Sequence, residues 1–239
     1  MPRRVVHVSP LAWVRLRYSA LLGVQLLVFL VYPFVIDGPA GVAVMGLFIT
    51  GTLMAAALSL EATSRGRALL LAVPTVLALW VAIATTSDQA LRFACVVGIV
   101  CVSYQISKIL WHVLQIERVS LEKVQGSLAV FFLLGLNWAL IYTVLELQRA
   151  GSFALGDPPQ RIPLLATATD AHATHMLGFS HLLFHSYMTL CATTYGGVAA
   201  LTPPALAMTA LETLVGQIYL AVLVAQLMGL HLAFHGSRA

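Results

Sequence analysis

Residues 179–230 read FSHLLFHSYMTLCATTYGGVAALTPPALAMTALETLVGQIYLAVLVAQLMGL, and this stretch decides the fold. Its first part is an apolar segment of about a dozen residues, whereas a membrane-spanning helix needs about 20. A Thr/Tyr/Gly turn follows, and then a long apolar helix. A segment that enters a membrane and turns back places non-helical backbone at membrane depth, which is tolerated only beside a water-filled path or inside protein. The stretch therefore predicts a pore.

The composition of the whole chain indicates an integral membrane protein. Of its 239 residues, 60% are hydrophobic and 9% are charged, and the mean hydropathy is +0.92. Soluble domains carry roughly 25% charged residues. The basic N-terminus precedes an apolar run too long for a cleaved signal peptide, so we expect a retained first span. Cys95, Cys101 and Cys191 form no metal-binding spacing and are expected to be small, buried side chains.

The hydropathy pattern predicts an all-α membrane protein with six transmembrane helices and a re-entrant helix between the fifth and sixth. The predicted spans cover about residues 16–36, 41–60, 68–84, 90–114, 126–146 and 205–232, and the re-entrant helix covers about 175–192. Residues 115–125 are amphipathic and predict an interfacial linker helix. The chain thus divides into a four-span scaffold (1–114), the linker (115–125) and a pore domain (126–239).

The positive charges predict the orientation. With the N-terminus inside, ten Lys and Arg side chains fall on inner segments, and only Arg92, Arg149 and Arg161 fall on outer ones. This bias predicts a multi-pass protein of the cell membrane with both termini in the cytoplasm. The re-entrant helix then enters from outside, and its C-terminus, which carries a partial negative charge, points at the membrane centre.

Some functional classes find no support in the sequence. The fourth span lacks the regularly spaced arginines of a voltage sensor. We find no nucleophile–base pair, metal-ligand quartet or phosphate loop, so we do not expect an enzyme. The net charge of +4 is explained by topology rather than by nucleic-acid binding.

The succession of span, re-entrant helix, turn and span over residues 115–232 resembles the pore domain of the potassium-channel superfamily, especially bacterial six-span members. The filter motif T-x-G-Y-G-D of that family aligns without gaps on Ala192, Thr193, Thr194, Tyr195, Gly196 and Gly197. Upstream, Ser186, Thr189 and Leu190 match pore-helix residues. Downstream, Glu212 and Gly216 fall where these channels carry an inner-helix glutamate and a hinge glycine. The resemblance implies a tetramer in the lipid bilayer, either of identical or of related subunits, that passes K⁺ or Na⁺ without a further cofactor.

Departures from the filter motif predict weak ion selectivity. A potassium filter replaces the hydration shell of the ion with rings of backbone carbonyls. Thr194 replaces a glycine whose left-handed backbone costs a β-branched residue about 1–2 kcal/mol. Ala192 removes a ring of hydroxyls, and Gly197 removes the outer acidic group. We therefore expect K⁺ selectivity to be weakened or lost. The alternative is a non-conducting, pore-like structural or regulatory subunit that assembles with other channel subunits.

Individual residues of the pore domain have more than one interpretation. Glu212 could brace the filter together with Thr189, contact ions directly, or form a simple inter-helix bond. Gly216 could be a gating hinge or could let two helices approach closely. His181 and His185 lie one helical turn apart, so they could sense pH or bind a metal. Ordinary polar packing at the membrane interface is the interpretation of these histidines that the sequence favours.

Overall fold

The computed structural model describes residues 10–31, 39–85, 87–115, 121–155, 171–193 and 197–235. This part of the chain is mainly helical. They are α1 (Pro10–Val31), α2 (Pro39–Ser59), α3 (Ala62–Thr85), α4 (Asp88–Gln115), α5 (Leu121–Gln148), α6 (Ala171–Leu190) and α7 (Pro203–His235). Two short strands, β1 (Phe153–Leu155) and β2 (Val198–Ala200), flank α6.

Five of these helices are long and apolar enough to cross a membrane. They are α2, α3, α4, α5 and α7, and by position they correspond to the second to sixth predicted spans. The apolar part of α1, Tyr18–Val31, is shorter, and the end of the predicted first span falls on residues outside the described part. The 20 residues of α6 include four histidines, and α6 is not among the five. The chain is therefore a mainly helical protein of transmembrane character.

Boundaries differ from the prediction mainly where charged residues extend a helix beyond its apolar core. The predicted linker helix over residues 115–125 falls partly on residues 116–120, outside the described part. Its last five residues, 121–125, form the first turns of α5. Because helix ends project beyond the hydrocarbon layer, hydropathy locates the apolar centre of a span better than its ends.

The helices pack largely in chain order, and α6 lies against three of them. Neighbours α2, α3, α4 and α5 pack in succession, α1 lies against α2 and α5, and α6 contacts α5, α7 and α2. The buried core runs continuously through these helices. Cys95 and Cys101 are buried in α4 as predicted, whereas the prediction for Cys191 was wrong, since it is exposed just beyond α6.

A small antiparallel sheet, which the sequence did not predict, joins the end of α5 to the start of α7. Phe153 pairs with Ala200 and Leu155 with Val198. The amide of Leu201 extends the ladder by donating to the Ser152 carbonyl at 2.8 Å. Because β1 follows α5 and β2 precedes α7, this pairing fixes both helix ends at one end of the bundle.

The C-terminal end of α6 lies well inside the bundle. The Leu190 backbone abuts Gly216 so closely that a Cβ at Gly216 would lie 2.9 Å from the Leu190 Cα. Gly216 is thirteen residues into α7, which is about 20 Å along a helix. On the other side, the Tyr187 ring packs on Gly135, thirteen residues before the last residue of α5. Along α5 and α7, these two contacts therefore lie about 20 Å from the helix ends that the sheet joins.

Candidate functional site

A buried carboxyl group joins the three helices that meet at this depth. Glu212 of α7 is fully buried. The Tyr142 hydroxyl of α5 donates to one carboxyl oxygen, and the Ser186 hydroxyl of α6 is hydrogen-bonded to the other. Tyr142 and Ser186 are themselves buried. One side chain of α7 therefore fixes the positions of α5 and α6 together.

The hydrogens available at Ser186 indicate how this network is arranged. The Ser186 hydroxyl also lies 2.9 Å from the carbonyl of Gly135. A hydroxyl has one hydrogen and cannot donate fully to two acceptors. A proton on Glu212 supplies the second donor, since Glu212 then donates to Ser186 and Ser186 donates to Gly135. No ion pair in the described part of the chain involves Glu212, which agrees with a neutral carboxyl group.

The end of α6 is capped by its own backbone. The amide of Ala192 donates to the Thr189 carbonyl at 2.9 Å, and that of Thr193 donates to the Met188 carbonyl at 2.9 Å. This is the Schellman pattern, in which the residue after the helix adopts a left-handed conformation that glycine favours. Ala192 takes this position with φ of 53°. The Thr193 hydroxyl adds a bond to the Met188 carbonyl at 3.0 Å.

Replacing Ala192 with glycine is expected to stabilise the protein, because alanine pays about 1 kcal/mol for a left-handed backbone that glycine adopts freely. The midpoint of thermal unfolding should rise by roughly 2–4 °C, measured on the purified protein in detergent. Ala225→Gly, at an exposed position inside α7, is the control and should lower the midpoint. A lower midpoint for Ala192→Gly would contradict the left-handed cap.

The other end of the site is held by a second buried acid. Glu146, near the end of α5, is 2% exposed. Its two carboxyl oxygens accept hydrogen bonds from the backbone amides of Gly151 at 2.8 Å and Phe153 at 3.0 Å. It therefore fixes the turn that leads into β1, at the sheet end of the bundle.

An open cleft of about 660 Å³ runs along the exposed faces of α6 and α7. Its lining combines apolar side chains (Phe184, Met188 and Val198) with hydroxyl and imidazole side chains: His181, His185, Thr189, Thr193, Thr209 and Thr213. Thr209 and Thr213 donate to carbonyls one turn earlier in α7. Polar groups in an open cleft suit water, ions or another protein better than lipid chains.

The two histidines of α6 differ in their surroundings. Both line the cleft. The ring of His185 also packs near the rings of Tyr142 and Phe153, with centroids 5.6 and 5.7 Å away. Within the described residues, no group of three or more His, Cys, Asp or Glu side chains could hold a metal ion. His172 and His175 lie in the first turns of α6.

The structure describes some of the predicted filter and hinge residues but not all of them. Ala192, Thr193 and Thr189 lie at the inner end of α6 beside the cleft, and Gly197 lines the same cleft. Gly216 contacts the backbone of Leu190, which is the close approach that sequence reasoning gave as one of two roles. Thr194, Tyr195 and Gly196 lie outside the described residues, so the centre of the predicted filter is untested.

Sequence reasoning missed the partners of Glu212 and the role of Glu146. Tyr142 carried a usable signal, because a tyrosine inside an apolar helix needs a hydrogen-bond partner. Gly135 carried another, since a small residue in a span marks close helix contact. Glu146 gave no such signal, because an acid at the end of a span usually faces water.

No protein-family model, curated protein or solved structure matches this chain.

Proposed function

We propose that the protein is the pore-forming subunit of a tetrameric cation channel of potassium-channel type, with weakened K⁺ selectivity. The observation that carries the proposal is the position of α6. Its last residue, Leu190, packs against Gly216 of α7, about 20 Å along α7 from the start of that helix. A helix that ends at this depth presents the partial negative charge of its C-terminus at the membrane centre. Such an end favours a cation there.

The length of the following segment also supports a re-entrant path. Val198 begins β2, which pairs with β1 at the far end of the bundle. From Leu190 the chain therefore returns toward the sheet within the seven residues that precede Val198. A segment of this kind, from each of several subunits, would line an axial path.

The exposed face of α7 supports assembly with further copies. Of the helices able to span a membrane, α7 is the least buried, with 11% of its most apolar window inside the protein. Together with the cleft, this leaves a mixed apolar and polar surface. Lipid covers apolar side chains but offers no hydrogen bonds to polar ones, whereas a neighbouring subunit can contact both. The resemblance to the potassium-channel superfamily implies four copies.

The test is cation flux through liposomes that contain only the purified protein. We expect K⁺ and Na⁺ to pass at rates that differ by about tenfold or less, because Thr194 disfavours the ordered carbonyl rings that strip water from K⁺. Protein-free liposomes provide the background. Sharp preference for K⁺ over Na⁺ would contradict the interpretation of Thr194.

Cys191 allows the path to be tested in the native chain. It is exposed beside the end of α6, whereas Cys95 and Cys101 are buried. A positively charged, membrane-impermeant thiol reagent should therefore block flux through the native protein but not through Cys191→Ser. Flux through the native protein that the reagent leaves unchanged would place the path away from α6.

A non-conducting subunit is the second candidate, and the capped end of α6 favours it. Ala192 and Thr193, which align with the inner filter, are engaged in the helix cap. If the pure protein passes no ions, this candidate predicts that Ala192→Thr, Thr194→Gly and Gly197→Asp together create K⁺ flux. A combined variant that is folded and tetrameric but inactive would contradict both candidates.

A further inference from the structure

An amide side chain is exposed on α7 at the depth where α6 ends. Gln217 directly follows Gly216, which contacts the Leu190 backbone, and it lies inside the part of α7 that is apolar enough to cross a membrane. Gln217 is exposed, and its side chain forms no hydrogen bond within the described part of the chain. Because an unpaired amide in hydrocarbon is costly, this side chain needs a partner from outside the single chain.

The stripe of α7 that carries Gln217 is otherwise lined by small residues. Ala210 lies seven residues before Gln217 and Ala221 four residues after it, so the three share one side of the helix, and all three are exposed. Small side chains let a second helix approach closely in a membrane, and glutamine hydrogen-bonds across such contacts. Thr213, one turn before Gln217, lines the cleft between α6 and α7. The stripe therefore adjoins that cleft.

The other exposed side of α7 is bulky and apolar. Ile218 is 55% exposed and Val222, one turn later, is 48% exposed. Both line an open groove of about 310 Å³ whose other walls are α4 and α5, and most of its side chains are apolar. Lipid chains cover such a surface as well as protein does. Ile218 therefore lies at the same depth as Gln217 but about 100° away around the helix, in different surroundings.

The chemistry of the amide points to a second copy of this chain as its partner. A primary amide carries an NH₂ donor and a carbonyl acceptor, so Gln217 of one copy is complementary to Gln217 of the next. In a cyclic assembly each amide donates to one neighbour and accepts from the other, and every copy is equivalent. Lipid chains offer neither a donor nor an acceptor.

We propose that the α7 helices of neighbouring copies meet at Gln217 and that their amides hydrogen-bond to one another. Ala210 and Ala221 leave room for the neighbouring helix, and the Ile218 side stays in lipid. This contact rests on the proposed function only in that several copies assemble, and it does not require conduction. It holds the α7 helices together at the depth where α6 ends.

Chemical cross-linking tests which side of α7 meets the neighbour. Gln217→Cys and Ile218→Cys are each made together with Cys191→Ser, so that the remaining native cysteines, Cys95 and Cys101, are buried. A short bifunctional thiol reagent, added to the protein in liposomes, should join most copies of Gln217→Cys and few copies of Ile218→Cys. Equal linking of the two variants overturns the proposal, and so does the absence of links in Gln217→Cys.

A second pair of variants tests the hydrogen bonds themselves. Leucine is similar in size to glutamine but cannot hydrogen-bond, whereas asparagine keeps the amide. Assembly is measured by energy transfer between separately labelled copies in liposomes. The protein density that gives half-maximal transfer should rise about threefold or more for Gln217→Leu, and by less for Gln217→Asn. Native assembly of a Gln217→Leu protein overturns the proposed hydrogen bonds.

The contact and the proposed channel function can fail separately. If Gln217→Cys copies are linked but the native protein passes no ions, the contact stands and conduction is contradicted. If the native protein passes ions but Gln217→Cys copies are not linked, the contact alone is contradicted.

Discussion

Replacing Glu212 with alanine is expected to destabilise the fold by about 3 kcal/mol or more. The change removes the shared partner of two buried hydroxyls, those of Tyr142 and Ser186. Each buried polar group left without a hydrogen bond costs about 1–3 kcal/mol, and the lost side chain leaves a cavity as well. The midpoint of thermal unfolding in detergent should fall by roughly 6–12 °C.

Glu212→Gln is the matched control, because glutamine resembles a protonated glutamate. Its amide oxygen can accept from Tyr142, and its NH₂ group can donate to Ser186, which is then free to donate to the Gly135 carbonyl. We therefore expect Glu212→Gln to unfold within about 2 °C of the native protein. If glutamine is as damaging as alanine, the carboxyl group is ionised and the proposed arrangement of hydrogens is wrong. If alanine has no effect, Glu212 does not brace the helices.

Replacing Gly216 with alanine is expected to separate α6 from α7. A Cβ at this position would lie 2.9 Å from the Leu190 Cα and 3.0 Å from its carbonyl carbon. Backbone atoms cannot move aside as the end of a flexible side chain can, so overpacking should cost about 2–3 kcal/mol. This exceeds the gain of about 1 kcal/mol that alanine brings inside a helix. The thermal midpoint should fall, and any cation flux should fall with it.

Gly229→Ala on the same helix is the control for Gly216→Ala. A Cβ at Gly229 would meet nothing within 4 Å, so only the helix-propensity gain of about 1 kcal/mol remains. The two variants should therefore move the thermal midpoint in opposite directions. A Gly216→Ala protein with a native midpoint but altered flux would favour the hinge role over close packing.

The sequence predicted the spans well because their signal is local. Transfer of apolar side chains into lipid depends on each segment alone, so hydropathy located α2, α3, α4, α5 and α7 without any knowledge of their neighbours. The position of α6 between two spans was predicted for the same reason. The small sheet was not, since Phe153 and Ala200 are 47 residues apart in the chain and three-residue strands carry almost no pattern of their own.

The candidate site was predicted in part. Glu212 was singled out because an acid inside an apolar helix is costly and needs a partner. The identity of that partner was not available, because Tyr142 precedes Glu212 by 70 residues and many hydroxyls were equally plausible.

The sequence by itself determined that this chain is a helical protein of transmembrane character with one short, polar-edged helix between two long ones. It did so because burial in lipid depends on composition and length. Only the tertiary structure decided how deep α6 ends, that Gly216 meets the Leu190 backbone, and that Tyr142 and Ser186 share Glu212. These features arise from contacts between distant segments, and packing at van der Waals distance selects one partner among many that the sequence allows.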